Sequence, residues 1–202
     1  MNSDHTDEII YCKLKNDLEE KFVLASGNEG MNIINRDGTI FKHNEIGHAQ
    51  RISVAKYDLN KSGLQIMATA FWGSDGIVCI YDYNGNLLKQ MEVGDNGSVI
   101  TPIMYDGINT LALLHAGKNG GLIDSELDRV VLFPDDGHPY TSSEVFDIDG
   151  DGIDEILCWN LNELWVYKAK NYVSPKKEYK KYPIDAFSNY RGEYLISDID
   201  LD

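Results

Sequence analysis

Gln65-Ile66-Met67-Ala68-Thr69-Ala70-Phe71-Trp72-Gly73 is a nearly continuous apolar run of strand length, entered from a turn that carries Asn60, Ser62 and Gly63. Three other stretches share its character: KFVLASG from Lys21, TLALLHAG from Thr110 and EILCWN from Glu155. Setting Phe22, Ile66, Leu111 and Ile156 equivalent gives steps of 44, 45 and 45 residues. A four-stranded propeller blade occupies about 40–50 residues, so the spacing predicts a β-propeller with units entering near 22, 66, 111 and 156.

The interior of each unit agrees. Further strand-like runs follow at MNIINR, IVCIYDY, LID leading to RVVLF, and LWVYKA. Arg36-Asp37-Gly38 and Asn84-Gly85-Asn86 hold the Asp-Gly and Asn-Gly pairs of tight hairpin turns. RISVAKYD, SVITPIMYD and SSEVFD supply a strand before each next unit. Ile, Val, Tyr and Phe dominate, and no 3.6-residue apolar period persists, so the fold class is all-β.

Thr6-Asp7-Glu8-Ile9-Ile10 matches Ile153-Asp154-Glu155-Ile156-Leu157, and Asp198-Ile199-Asp200 opens as Asp147-Ile148-Asp149 does. On this reading the chain begins near the end of one aspartate loop and stops inside another. It is then about four blades of an incomplete seven- or eight-bladed ring, whose edges need closure by missing blades or another chain. A self-sufficient four-blade unit is the alternative.

Asp147-Ile148-Asp149-Gly150-Asp151-Gly152-Ile153-Asp154-Glu155 carries the strongest chemistry. Asp147, Asp149, Asp151 and Glu155 offer carboxylates at positions 1, 3, 5 and 9, and Ile153 a backbone carbonyl. Gly152 permits the sharp turn. A flexible all-oxygen set suits Ca2+. An EF-hand is excluded, because its twelfth position is here Cys158 within a strand. The loop resembles the calcium loops of FG-GAP-type propeller repeats. Asp58 to Gly63, Asp106-Gly107 and Asn16 to Glu20 are poorer copies and read as structural turns.

Composition narrows the partners. Eighteen basic against 33 acidic side chains give a net charge of −15, which disfavours nucleic acid and anionic membranes. The apolar runs are far shorter than the roughly 20 residues of a membrane-spanning helix. The first ten residues show neither a basic nor an apolar signal-peptide region. Cys12, Cys79 and Cys158 form no metal or disulfide pattern and read as small core residues. A lysine-rich stretch (Lys168, Lys170, Lys176, Lys177, Lys180, Lys181) reads as a solvated outer loop.

GHAQRISVAKYD (47–58), GLQIMATAFWGSDGIVCIYDYNGNLL (63–88), GGLID (120–124) and VVLFPDDGHP (130–139), with DIDGDGIDEILCW (147–159) and LWVY (164–167), resemble bacterial β-propellers of polysaccharide lyase family 11, the rhamnogalacturonan lyases. The likeness spans roughly residues 20 to 170. It implies calcium-supported β-elimination of a pectic, uronate-containing polysaccharide. Elimination needs a base that titrates near neutral pH, for which His48 or His138 would serve. It also needs a clamp on the uronate carboxylate, for which Arg51 is suited. Gln50, Trp72, Asn96, Asp135 and Asp136 complete a candidate substrate surface in the same loop segments. Each residue also has a structural reading. Arg51 can pair with a neighbouring acid at a blade junction, His138 can cap a turn with Asp135 or Asp136, and Trp72 can fill core. A non-catalytic propeller that binds carbohydrate or protein is the functional alternative.

Overall fold

The computed structural model describes residues 5–72, 76–94, 100–115, 120–171, 179–181 and 194–197. The described residues hold strands and no helix. Blade I contains β1 (Glu8–Cys12), β2 (Lys21–Ala25), β3 (Met31–Asn35) and β4 (Ile40–Asn44), paired in that order. Blade II contains β5 (His48–Ala55), β6 (Gln65–Trp72), β7 (Ile77–Tyr81) and β8 (Leu87–Glu92). Blade III contains β9 (Thr101–Met104), β10 (Thr110–Leu113), β11 (Leu122–Ile123) and β12 (Arg129–Val131). Blade IV contains β13 (Ser142–Phe146), β14 (Glu155–Trp159) and β15 (Leu164–Tyr167). Every pairing inside a blade is antiparallel.

The equivalent residues of the repeat fall on β2, β6, β10 and β14, the second strand of each sheet. Those strands are buried because successive blades stack face to face. Ile10, Val23 and Ile33 of blade I meet Ile52, Ile66 and Ala68 of blade II. Met67, Val78 and Ile80 meet Met104, Ala112 and Ile123 of blade III. Ile103, Leu111 and Leu122 meet Val145, Ile156 and Cys158 of blade IV. Since alternate residues of a strand point to opposite faces, blades II and III are apolar on both sides. Cys12, Cys79 and Cys158 lie in these cores, and burial pushes the Cys158 thiol up to about 11.

Two readings need correction. Thr6 to Ile10 is no remnant of an aspartate loop, because Glu8–Cys12 is the innermost strand β1, paired residue for residue with β2. The loop of blade I that matches Asp147 to Asp154 lies between β1 and β2 and contains the poor copy at Asn16 to Glu20. RISVAKYD, SVITPIMYD and SSEVFD likewise open the next sheet rather than finish their own.

Tyr179–Lys181 and Tyr194–Ser197 form a further antiparallel pair (β16 and β17), and β17 joins β5 in parallel. Lys180 and Lys181 thus lie in a strand rather than a loop, while Lys176, Lys177 and the Asp198 to Asp202 motif lie outside the described residues.

Turn chemistry sets the blade spacing. At Asn84-Gly85, Asp82 Oδ1 accepts from the amides of Asn84 and Asn86 at 2.9 and 2.8 Å. Gly85 has φ +75°, and a Cβ there would come within 2.8 Å of Ile33 and Lys42. Glycine therefore lets the turn of blade II nest on blade I.

Candidate functional site

Carboxylates clamp the inner strands of neighbouring blades. Ile52 N donates to Glu8 Oε2 at 2.7 Å, and Arg51 donates to Glu8 Oε1 at 3.3 Å. Burial raises the Glu8 carboxyl to about 7, with Arg51 and the Ile52 amide opposing. Between blades III and IV, Met104 N donates to Asp154 Oδ2 at 2.7 Å, and Asp154 N donates back to Met104 O at 2.8 Å. These bonds satisfy amides on the inner strands at the blade junctions.

His48 and Arg51 therefore sit at the junction of blades I and II. His48 Nδ1 lies 2.8 Å from Asn28 Oδ1, and its Nε2 lies 3.8 Å from Asp7 Oδ2. Gln50 follows on the same strand, and Trp72 faces His48 in the β5–β6 register. The side chain of Trp72, and all of Asn96, lie outside the described residues. His138 is elsewhere, in the connection between β12 and β13. Its Nδ1 is 2.7 Å from Asp136 Oδ1, and its ring meets Phe133 and Tyr167. Tyr167 donates to Asp136 Oδ2 at 2.7 Å. Burial works against ionisation of Asp136, but the bonds from Tyr167 and His138 prevail and hold its carboxyl below the usual range. Asp135 neighbours this group. Among the described contacts, His48 meets Asn28 and Asp7, Arg51 meets Glu8, and His138 meets Phe133, Asp136 and Tyr167, while Glu144 of blade IV adds its charge to the environment of Glu8. A pocket between blades II and III is lined by Asp58, Lys61, Gln65, Lys89 and Glu126, among others, and by none of the candidate substrate residues.

The aspartate loop folds as its spacing implies. Asp147, Asp149 and Asp151 bring oxygens within 4.8 Å of one another. Asp147 accepts from Gly150 N and Gly152 N at 2.8 and 3.0 Å, and Ile148 N donates to Glu155 Oε2 at 2.8 Å. Ile153 is buried, its amide bonded to Asp151 Oδ1 at 2.9 Å. The donor set fits a hard cation, yet a cation of the chain already stands among it. Lys168 Nζ is 2.6 Å from Asp149, 2.8 Å from Asp151 and 2.9 Å from Glu155. Hydrogen bonds from Lys168 to those three carboxylates raise its own pKa well above the ordinary lysine range.

The blade II copy is closed in a similar way. Buried Lys56 donates to the carbonyls of Lys61 and Gly63 at 2.5 and 3.2 Å, while Asp58 Oδ1 takes the Asn60 amide at 2.9 Å. In blade III, Asp106 Oδ1 takes the amides of Ile108 and Asn109 at 2.8 and 2.9 Å.

Sequence reasoning passed over a second cluster, in which His5 and Asp7 join His48. His5 Nε2 is 3.2 Å from Asp7 Oδ2, and the rings of His5 and His48 lie 4.9 Å apart. The one visible signal is His5-x-Asp7, which means little until the fold brings His48 beside it.

Four blades of stacked antiparallel sheets define a protein of the all-β propeller class. No family model and no curated protein matches the chain. Among solved structures it is similar to crystal structures of BBS1N in complex with ARL6DN. One, soaked with lead, has a TM-score of 0.51 and 14% identity, covering 98% of this chain and 68% of that one. Another, soaked with mercury, has a TM-score of 0.49 and 13% identity, covering 94% and 61%. The chain thus spans about two thirds of the BBS1N chains it matches, and at this identity the likeness is one of fold.

Proposed function

We propose that the chain is a non-catalytic propeller module that recognises another protein. What carries this reading is how the ionisable side chains needed for uronate elimination are employed. Arg51 is paired with Glu8, which is buried, and His138 is held by Asp136 beside Tyr167. His48, the candidate base on the same strand as Arg51, is itself held between Asn28 and Asp7, so at that junction both the clamp and the base are engaged by the chain's own side chains.

The outward face of blade IV offers a protein surface. Phe146, Leu157, Trp159, Leu164 and Val166 share that face by strand register, and Phe146, Leu164 and Val166 are about half exposed. Ser142, Glu144 and Glu155 lie on the same face, and exposed apolar side chains set among polar ones suit a protein interaction surface. The fold likeness adds a precedent, since the BBS1N structures hold a protein, ARL6DN.

The test is to cross-link and co-purify the chain from its native source, then measure the recovered protein against purified chain. Binding that is saturable, and that Leu164→Asp with Val166→Asp weakens at least about tenfold, supports the reading. An unsaturated uronate formed from rhamnogalacturonan, and lost in Arg51→Ala with the fold intact, would overturn it in favour of a lyase. Saturable binding of the intact polysaccharide, without a protein partner, would favour a carbohydrate module.

A further inference from the structure

We propose that His5 Nε2, Asp7 Oδ2 and His48 Nε2 form a binding site for a late first-row divalent cation, with Zn2+ as the representative. His48 anchors the cluster. Its Nδ1 lies 2.8 Å from Asn28 Oδ1. An amide oxygen only accepts, so Nδ1 carries the proton and donates. In the neutral ring Nε2 then presents a lone pair, and it points at Asp7 Oδ2, 3.8 Å away. Two acceptors face each other. Asp7 Oδ2 is shielded from solvent and takes part in no hydrogen bond, an arrangement that costs free energy unless a positive centre stands nearby. His5 brings a second imidazole nitrogen to 3.2 Å from the same oxygen.

The three ligand atoms lie within 4.8 Å of one another. Tetrahedral Zn2+ with bonds near 2.0–2.1 Å separates its ligands by about 3.3–3.5 Å. The two distances to Asp7 Oδ2 bracket that range, so small side-chain rotations complete the set. Two imidazoles and one carboxylate suit Zn2+, Ni2+ or Co2+ rather than Ca2+, which takes oxygen. Three protein ligands leave a fourth position for water.

The surroundings hold the ligands in place. Asp7 N donates to Ala25 O at 2.9 Å, which fixes Asp7 on the edge of β2. Ala49 N donates to Gly27 O at 2.9 Å, which fixes the turn carrying Asn28 beside His48. Asn28 orients the His48 ring, the usual outer-shell task in a metal site. A bound metal would tie the segment before β1 to the first residue of β5 and so staple blade I to blade II. The site is independent of the protein-docking reading.

The experiment is a Co2+ and Zn2+ titration of the full chain without a histidine tag, by visible absorption and calorimetry. One equivalent should bind, with the visible bands of tetrahedral Co2+. His48→Gln and Asp7→Asn should each weaken binding by well over tenfold, and Asn28→Ala by about tenfold. His5→Gln provides a variant at a half-exposed position, where loss of binding cannot be blamed on misfolding. His43→Gln should change nothing. Absence of saturable binding, or equal affinity in wild type, His5→Gln and His48→Gln, would overturn the proposal and leave a proton-bridged ion pair in its place.

Discussion

The loop after β13 and the cluster before β1 are both sets of metal-ligand side chains, and they differ in what completes them. At Asp147 to Glu155 the acids surround Lys168, so the chain supplies its own counter-ion. At His5, Asp7 and His48 the carboxylate faces imidazole nitrogens, one of which the Asn28 bond leaves as an acceptor. The motif with the better metal spacing in sequence is thus the more self-sufficient one in space. Ligand spacing along a chain says which atoms can converge, but only the fold says what else arrives there.

If paired side chains, rather than ligands, hold the blades, then Arg51→Met must be costly, because it strands Glu8 in the junction of blades I and II. The expected loss is about 3 kcal/mol of unfolding free energy well above pH 7, where Glu8 is ionised, and smaller below it, where the raised Glu8 carboxyl protonates, read by urea denaturation. A neutral result would mean that the junction does not depend on its charges.

Lys168→Met sharpens the contrast directly. It leaves Asp149, Asp151 and Glu155 to repel one another, and should lower the melting temperature. Calcium should then restore it, since the cradle becomes available to the cation that its oxygens suit. A variant as stable as wild type without calcium would show that the ammonium contributes little.

The smallest effect concerns the junction of blades III and IV. Asp136 has its folded pKa depressed by Tyr167 and His138. Its contribution to stability is therefore present above the ordinary aspartate value, about 3.9, and drains away as pH falls through the lower folded value. Melting followed from neutral pH down to about pH 3 should fall less steeply in Asp136→Asn. Parallel curves would remove Asp136 from the account.

Much of the fold was legible because the second strand of each blade lies between two other sheets. Such strands, Gln65–Trp72 above all, are apolar on both faces and repeat at a fixed interval. The outer strands were not legible. Ile40–Asn44 and Leu87–Glu92 are largely exposed, so no alternation marks them. Glu8 misled by its neighbours in sequence. Asp7-Glu8-Ile9 has the letters of Asp154-Glu155-Ile156, yet Glu8 is an inner-strand clamp on Ile52, and the acid that clamps blade IV to blade III is Asp154. Lys168 returns to the loop only through the β14–β15 hairpin. His5 and Asp7, Asn28, and His48 come from three segments that meet because blade I stacks on blade II. Neither meeting can be read from spacing.

The most direct test of the contrast is a pair of thermal melts of the unmodified chain, one with Zn2+ and one with Ca2+, each against chelator. A cation that binds the folded state raises the melting temperature in proportion to its affinity. Zn2+ should give a clear rise that His48→Gln abolishes, and Ca2+ little change while Lys168 is present. A rise with Ca2+ in the unmodified chain as large as in Lys168→Met, together with no response to Zn2+, would contradict this contrast.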